Sequence, residues 1–144
     1  MYGSIIWGCL MREIKFRGKS LDYWDWVRGY YVYDEDANLH FIVDWSINDR
    51  KLVDPTTVDQ FTGLLDKNGQ EIYENDVVAI TRWDGFHIVG EDIGTLKWHE
   101  ESSAFKWFRC DPRDENNYQL KQSQAMLFTI KGNITDNPEL MEGK

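Results

Sequence analysis

The chain holds three histidines, two cysteines and several paired acids, and the spacing of these residues decides what chemistry comes into view. His40, His87 and His99 lie in separate stretches, none with a second ligand at the short spacing of a transition-metal site. Cys9 and Cys110 fit neither a disulfide framework nor a zinc pattern, which points to a reducing, cytoplasmic setting. Among the acid pairs, Asp34/Asp36 sit in DEDAN, an echo of a calcium loop without its central Gly and closing Glu. Glu91/Asp92 and Glu100/Glu101 read as solvated surface. No Gly-x-Ser-x-Gly is present, Cys110 precedes a polar loop with no histidine beside it, and Gly85 and Gly90 lack the Lys-Ser or Lys-Thr of a phosphate loop. The expectation is a protein that is not an enzyme, with no catalytic residues, no cofactor and no metal.

The elements that would carry any site are mainly β. Ile14 and Phe16 alternate with Glu13, Lys15 and Arg17, the period of a half-buried strand. A loop through Tyr23, Trp24 and Trp26 leads to a strand at about Tyr30–Tyr33, then the turn DEDAN and a second β segment, LHFIVDW, ending at Trp45. Asn48–Lys51 is a polar break, and Asp54 followed by Pro55 predicts a short helical turn over 55–60. In FTGLLDKNGQEIYENDVV, Asp66, Asn68 and Gly69 specify a tight turn. Ile72 faces inward, and Asn75 and Asp76 form a second turn, with Asn75 suited to the left-handed region. Short apolar pieces follow at 85–90, 94–98 and 104–108, separated by glycines and polar breaks at a spacing that suits a small barrel or tightly curved sheet. A β segment over 125–131 and a short C-terminal helix announced by Asn137-Pro138 complete the reading.

Charge limits the partners. The formal net charge is −9, with five basic and three acidic residues over 11–30 but three basic and eleven acidic over 31–80. An acidic chain without a long basic run disfavours generic nucleic-acid binding and anionic membranes. No stretch approaches a membrane span, and MYGSIIWGCL lacks the basic and cleavage regions of a secretory signal. Residues 1–10 read as an uncharged N-terminal extension, with Met11 as a second start. The remainder, 11–144, is one domain with lobes at about 11–60 and 61–144.

With seven each of Trp, Tyr and Phe, the chain has more aromatic surface than a small core hides. Trp24, Trp26, Tyr30 and Trp45 are the candidate interface residues, because pairing would cover both aromatic area and strand edges.

From Met11 onward the chain resembles the YopX family of proteins encoded by phages and prophages of Gram-positive bacteria. MREIKFR, DPTTVDQFTGLLDKNGQEIYENDVV and IKGNITDNPEL carry the resemblance. The family usually has Gly where this chain has Asn75. The resemblance implies a β-rich α+β fold with N-terminal strands and an SH3-like barrel portion, self-association, a phage or prophage origin, and no catalytic residues to carry over. The leading expectation is a non-enzymatic homo-oligomer or protein-binding module acting on a host or phage protein in the bacterial cytoplasm. One alternative is an acidic nucleic-acid mimic that inhibits a host DNA-binding protein through residues 31–80. Another is a single-stranded nucleic-acid binder using Arg12, Lys15, Arg17, Lys19 and Arg28 with Tyr23, Trp24 and Trp26.

Overall fold

Alternating and β-branched residues carry most of the chain into strands. The computed structural model describes residues 12–44, 46–111 and 113–142. Six strands form one antiparallel sheet: β1 (Phe16–Lys19), β2 (Trp26–Asp34), β3 (Leu39–Asp44), β4 (Asp49–Leu52), β5 (Asp59–Leu65) and β6 (Glu71–Tyr73), in the order β4-β3-β2-β1-β5-β6. Five more form a second: β7 (Asp76–Trp83), β8 (Ile88–His99), β9 (Ala104–Arg109), β10 (Asn117–Tyr118) and β11 (Phe128–Asn133), in the order β10-β9-β8-β7-β11. Both sheets have free ends among the described residues, so the expected barrel portion is not closed.

Several local expectations hold. Asp54 caps a single 3-10 turn, Pro55–Thr57, by accepting the Thr56 N–H at 2.9 Å. The predicted turn ends earlier than residue 60 because Asp59 is already paired in β5. DEDAN joins β2 to β3, Ile72 is fully buried, and Asn75 is left-handed at φ 64. In the 66–69 turn it is Gly69, at φ 77, that takes the left-handed conformation.

Other elements depart from the sequence reading. The glycines at 90 and 94 do not break the chain; they lie inside the twelve-residue β8. Gly94 makes room for a neighbour, since a Cβ there would lie 2.3 Å from Trp107 Cε2 and 2.4 Å from the Phe108 carbonyl oxygen. The segment before β11 is a 3-10 turn, Gln122–Leu127, so strand begins at Phe128 and not at Ala125. At the C-terminal end Pro138–Met141 forms only a 3-10 turn. Asn137 does not cap it; its Oδ1 turns back and accepts the Asn133 N–H at 3.3 Å. The expectations for residues 1–10, Met11 and Trp45 lie outside the described residues.

The core draws on both sheets: Ile72 of β6 packs with Val78, Leu96, Trp107, Leu120 and Phe128. The buried Trp107 indole N–H donates to the Val78 carbonyl at 3.0 Å, so the largest core side chain leaves no polar atom unpaired. Among the described residues no helix is long and apolar enough to cross a membrane.

Gly94→Ala is expected to destabilise the protein by about 1–3 kcal/mol, the usual cost of forcing carbon into a filled core. In a Trp107→Phe background, urea denaturation should show a smaller cost for the same change. Strict additivity of the two substitutions would count against steric conflict at this contact.

Candidate functional site: a charged junction, a cleft and an exposed face

The alternation of β1 makes Arg17 look solvent-facing, yet it is only 4% exposed. That face of β1 meets Asp59 from β5 and Asp76 from β7, each 2% exposed. Arg17 Nε donates to Asp59 Oδ2 at 3.1 Å, Nη2 lies 3.0 Å from the same oxygen, and Nη1 lies 2.8 Å from Asp76 Oδ1. Nη2 also donates to the Glu74 carbonyl at 3.3 Å. The guanidinium carbon lies 4.5 Å from the Trp26 ring centroid and 4.9 Å from that of Tyr73, so the cation is held between aromatic faces.

The second turn of the central block completes the arrangement. Asn75 Nδ2 donates to Asp59 Oδ1 at 2.8 Å, and the Tyr73 N–H donates to Asp76 Oδ2 at 2.8 Å. Burial pushes the Asp59 carboxyl above its ordinary range more strongly than Asn75 and Arg17 pull it down. Asp76 is raised by burial in the same way, against the pull of Arg17. Burial also pushes the Tyr73 phenol up to about 12, with the Glu71 charge adding to the effect.

A second cation continues the network. Lys19 Nζ lies 2.8 Å from Asp136 Oδ1 and 4.7 Å from the Trp26 ring centroid. The Trp26 indole N–H donates to Asp136 Oδ2 at 2.7 Å, and the Asn133 amide donates to it at 3.2 Å. Burial alone would raise the Asp136 carboxyl; Lys19, Trp26 and Asn133 outweigh it and hold it at about 2.

Beside this junction a cleft of about 1270 Å³ runs between the first sheet and β11. Arg12, Trp26, Arg28, Phe61, Ile130 and Asn133 are among its lining residues. Register shifts in β5 between Phe61 and Leu64 and in β11 between Ile130 and Gly132 lie on its walls. Such bulges re-aim side chains and interrupt pairing.

The predicted site residues are dispersed. Trp26 belongs to the junction, whereas Trp24, left-handed at φ 58, and Tyr30 are about half exposed. Tyr30 lies on the outer face of β2–β4, where register aligns Tyr30 with Val43 and Arg50, Val32 with Phe41 and Leu52, and Asp34 with Leu39. Tyr30, Val32, Leu39 and Leu52 are exposed there around the buried Phe41 and Val43, and Arg50 lies over the Phe41 ring at 4.4 Å.

The turn residues join the sheets. Asp66 Oδ1 accepts the Asn68 and Gln70 N–H groups at 2.8 and 3.0 Å, while its Oδ2 accepts the Ile130 N–H of β11 at 3.3 Å. The Lys67 N–H donates to the Phe128 carbonyl at 3.0 Å.

Of the basic set considered for nucleic acid, Lys15 pairs with Glu13 and Glu71, and Arg17 and Lys19 are consumed internally. In the acidic 31–80 region, Asp59, Asp66 and Asp76 are buried, Asp54 caps a turn, and Asp44 accepts the Ser46 N–H at 2.9 Å. The sequence reading missed Arg17 as an interior residue and Asp136 as its neighbour's partner. Arg17 carried no signal of this, since it stands with Lys19 on the charged face of β1, opposite Phe16.

Arg17→Met is expected to cost about 3–5 kcal/mol in urea denaturation, because it leaves two buried carboxylates without their cation. Lys51→Met, which breaks long contacts of 3.7 and 3.8 Å at the surface, should leave the midpoint nearly unchanged. Equal effects would show that the junction is no more demanding than a surface pair.

The chain's relationships accord with this architecture. It is similar over its structure to the crystal structure of protein EF1440 from Enterococcus faecalis, with a TM-score of 0.56 and 22% identity, covering 92% of this chain and 100% of that one. At that identity the likeness speaks for the fold. No curated protein matches the sequence. The family model described as YopX protein matches residues 15–142, which takes in both sheets and the junction between them. The chain therefore belongs to the YopX family.

Proposed function

We propose that the protein is a non-enzymatic module that works by association, with copies of itself and with a host or phage protein in the bacterial cytoplasm. The observation that carries this reading is the outer face of β2–β4. Tyr30, Val32, Leu39 and Leu52 stand exposed together there, around Phe41 and Val43. Scattered single apolar residues need no explanation, but a contiguous apolar patch on one sheet face suits a protein interface.

The strand edges support a face-to-face mode. β4 is charged at Asp49, Arg50 and Lys51, β6 has three residues and β10 two. Short or charged edges resist strand addition. The β11 edge is partly occupied by the 66–69 turn. In this reading β7–β11 correspond to the SH3-like portion, and the phage or prophage setting is the one that YopX membership suggests.

Light scattering coupled to size-exclusion chromatography tests the proposal. The wild type is expected to elute at a multiple of 17.1 kDa. Val32→Glu is expected to shift it toward the monomer while leaving the denaturation midpoint close to that of the wild type. A wild-type monomer throughout the micromolar range would overturn self-association, and an unchanged oligomer in Val32→Glu would remove this face from it. Capture from infected or induced cells, with Val32→Glu as the control, then identifies any partner held by the same face.

A further inference from the structure

The charge at the junction does not balance. Arg17 is the one cation within ion-pair reach of Asp59 and Asp76 among the described residues. The other charged groups nearby pair with neither aspartate among the described residues. On β1, Lys19 is held by Asp136, and just before the strand Lys15 pairs with Glu13 and Glu71. From β2, Arg28 lies 5.8 Å from the Tyr73 ring centroid and pairs with no carboxylate among the described residues. Between β6 and β7, the half-buried Glu74 carboxylate accepts the Gln60 N–H at 2.8 Å and adds negative charge.

We propose that the Arg17–Asp59–Asp76 junction is a proton-linked latch between the two sheets. With one guanidinium facing two buried carboxylates, the native chain holds a proton that the unfolded chain releases, and the sheets grip more tightly in mildly acidic solution than at neutral pH. One protonated carboxyl leaves a neutral ion pair plus an O–H donor, which removes the repulsion between two buried anions. The proton belongs to the coupled pair, since both carboxylates share Arg17.

The sign follows from linkage. Burial raises both aspartates above their ordinary 3.8, and it raises Glu74 above 4.5. Between the unfolded and folded values the native state binds more protons, so stability falls as pH rises through that window and levels off once the pair is ionised. The exposed turn carboxylates act in a different window. Hydrogen bonds from the Thr56 hydroxyl and backbone lower Asp54, and those from the Ser46 hydroxyl and backbone lower Asp44. Their contribution is lost only as pH falls below the ordinary 3.8. Stability therefore peaks in mild acid, above that value. Arg17 and Asp76 also line the cleft, so the proton changes the charge of its wall.

Asn75→Gly is the sharpest probe. The residue is left-handed at φ 64, where Gly fits without strain, and its amide supports the ionised form of Asp59. Thermal denaturation between about pH 4.5 and 7.5 is expected to show Tm falling as pH rises in the wild type. The fall should move to higher pH in Asn75→Gly and be reduced in Asp59→Asn. Calorimetry of the wild type at about pH 5, in two buffers of different ionisation enthalpy, should detect proton release on unfolding, which keeps the test decisive if Asp59→Asn does not fold. A Tm that is flat or rises across this range, a profile unmoved by Asn75→Gly, or no proton release would each overturn the latch.

Discussion

A buried guanidinium must find its counter-charges or take its hydration inward, and the two sheets of this protein meet where that demand is satisfied. Arg17 receives Asp59 from its own sheet and Asp76 from the other, with Trp26 and Tyr73 closing over its faces. Taking such charges out of water is costly, so the ion pair adds little as attraction alone. Its value lies in position: a slip of one residue in β1 would carry Arg17 to the opposite face and strand both carboxylates. The register of β1 against β2 and β5 is thereby tied to the placement of β7.

Turns elsewhere behave as connectors. Asp66 spends one oxygen on its own turn and the other on β11. Gln122 does the same work from the opposite direction, its amide oxygen accepting the Leu65 N–H at 2.8 Å and its amide nitrogen donating to the Leu65 carbonyl at 3.3 Å. Side chains thus satisfy strand groups that no strand reaches. The polar residues of the middle region are largely occupied in this way, which leaves apolar surface as the feature of β2–β4 with no internal use.

Much of this was legible because local rules and tertiary demands agree. Asp54-Pro55, Gly69 and Asn75 are residue types that tolerate the turn conformations they adopt, and Ile72 sits where alternation puts it. The strand glycines misled because a missing Cβ serves two ends, bending a chain or admitting a neighbour, and at Gly94 the neighbour is Trp107 from the adjacent strand. The junction was hidden for a related reason. Alternation distinguishes two faces of a strand but not water from a carboxylate on the polar side, and Asp59 and Asp76 are remote in sequence from Arg17. Trp26 looked like an interface anchor because aromatic type alone does not reveal the cations packed against it.

The order of strands in the two sheets bears on how the chain assembles. Most neighbours are consecutive: β2–β3–β4 and β7–β8–β9 are joined by short turns and close over small separations. The exceptions are β1 with β5 and β7 with β11, and Arg17 meets Asp59 and Glu74 across 42 and 57 residues. Loop closure makes such contacts slower than hairpins, so two independent meanders can gather before the guanidinium is withdrawn from water. The charged side chain can leave water at little cost only where both sheets present their carboxylates, so its burial depends on the two halves being in place together.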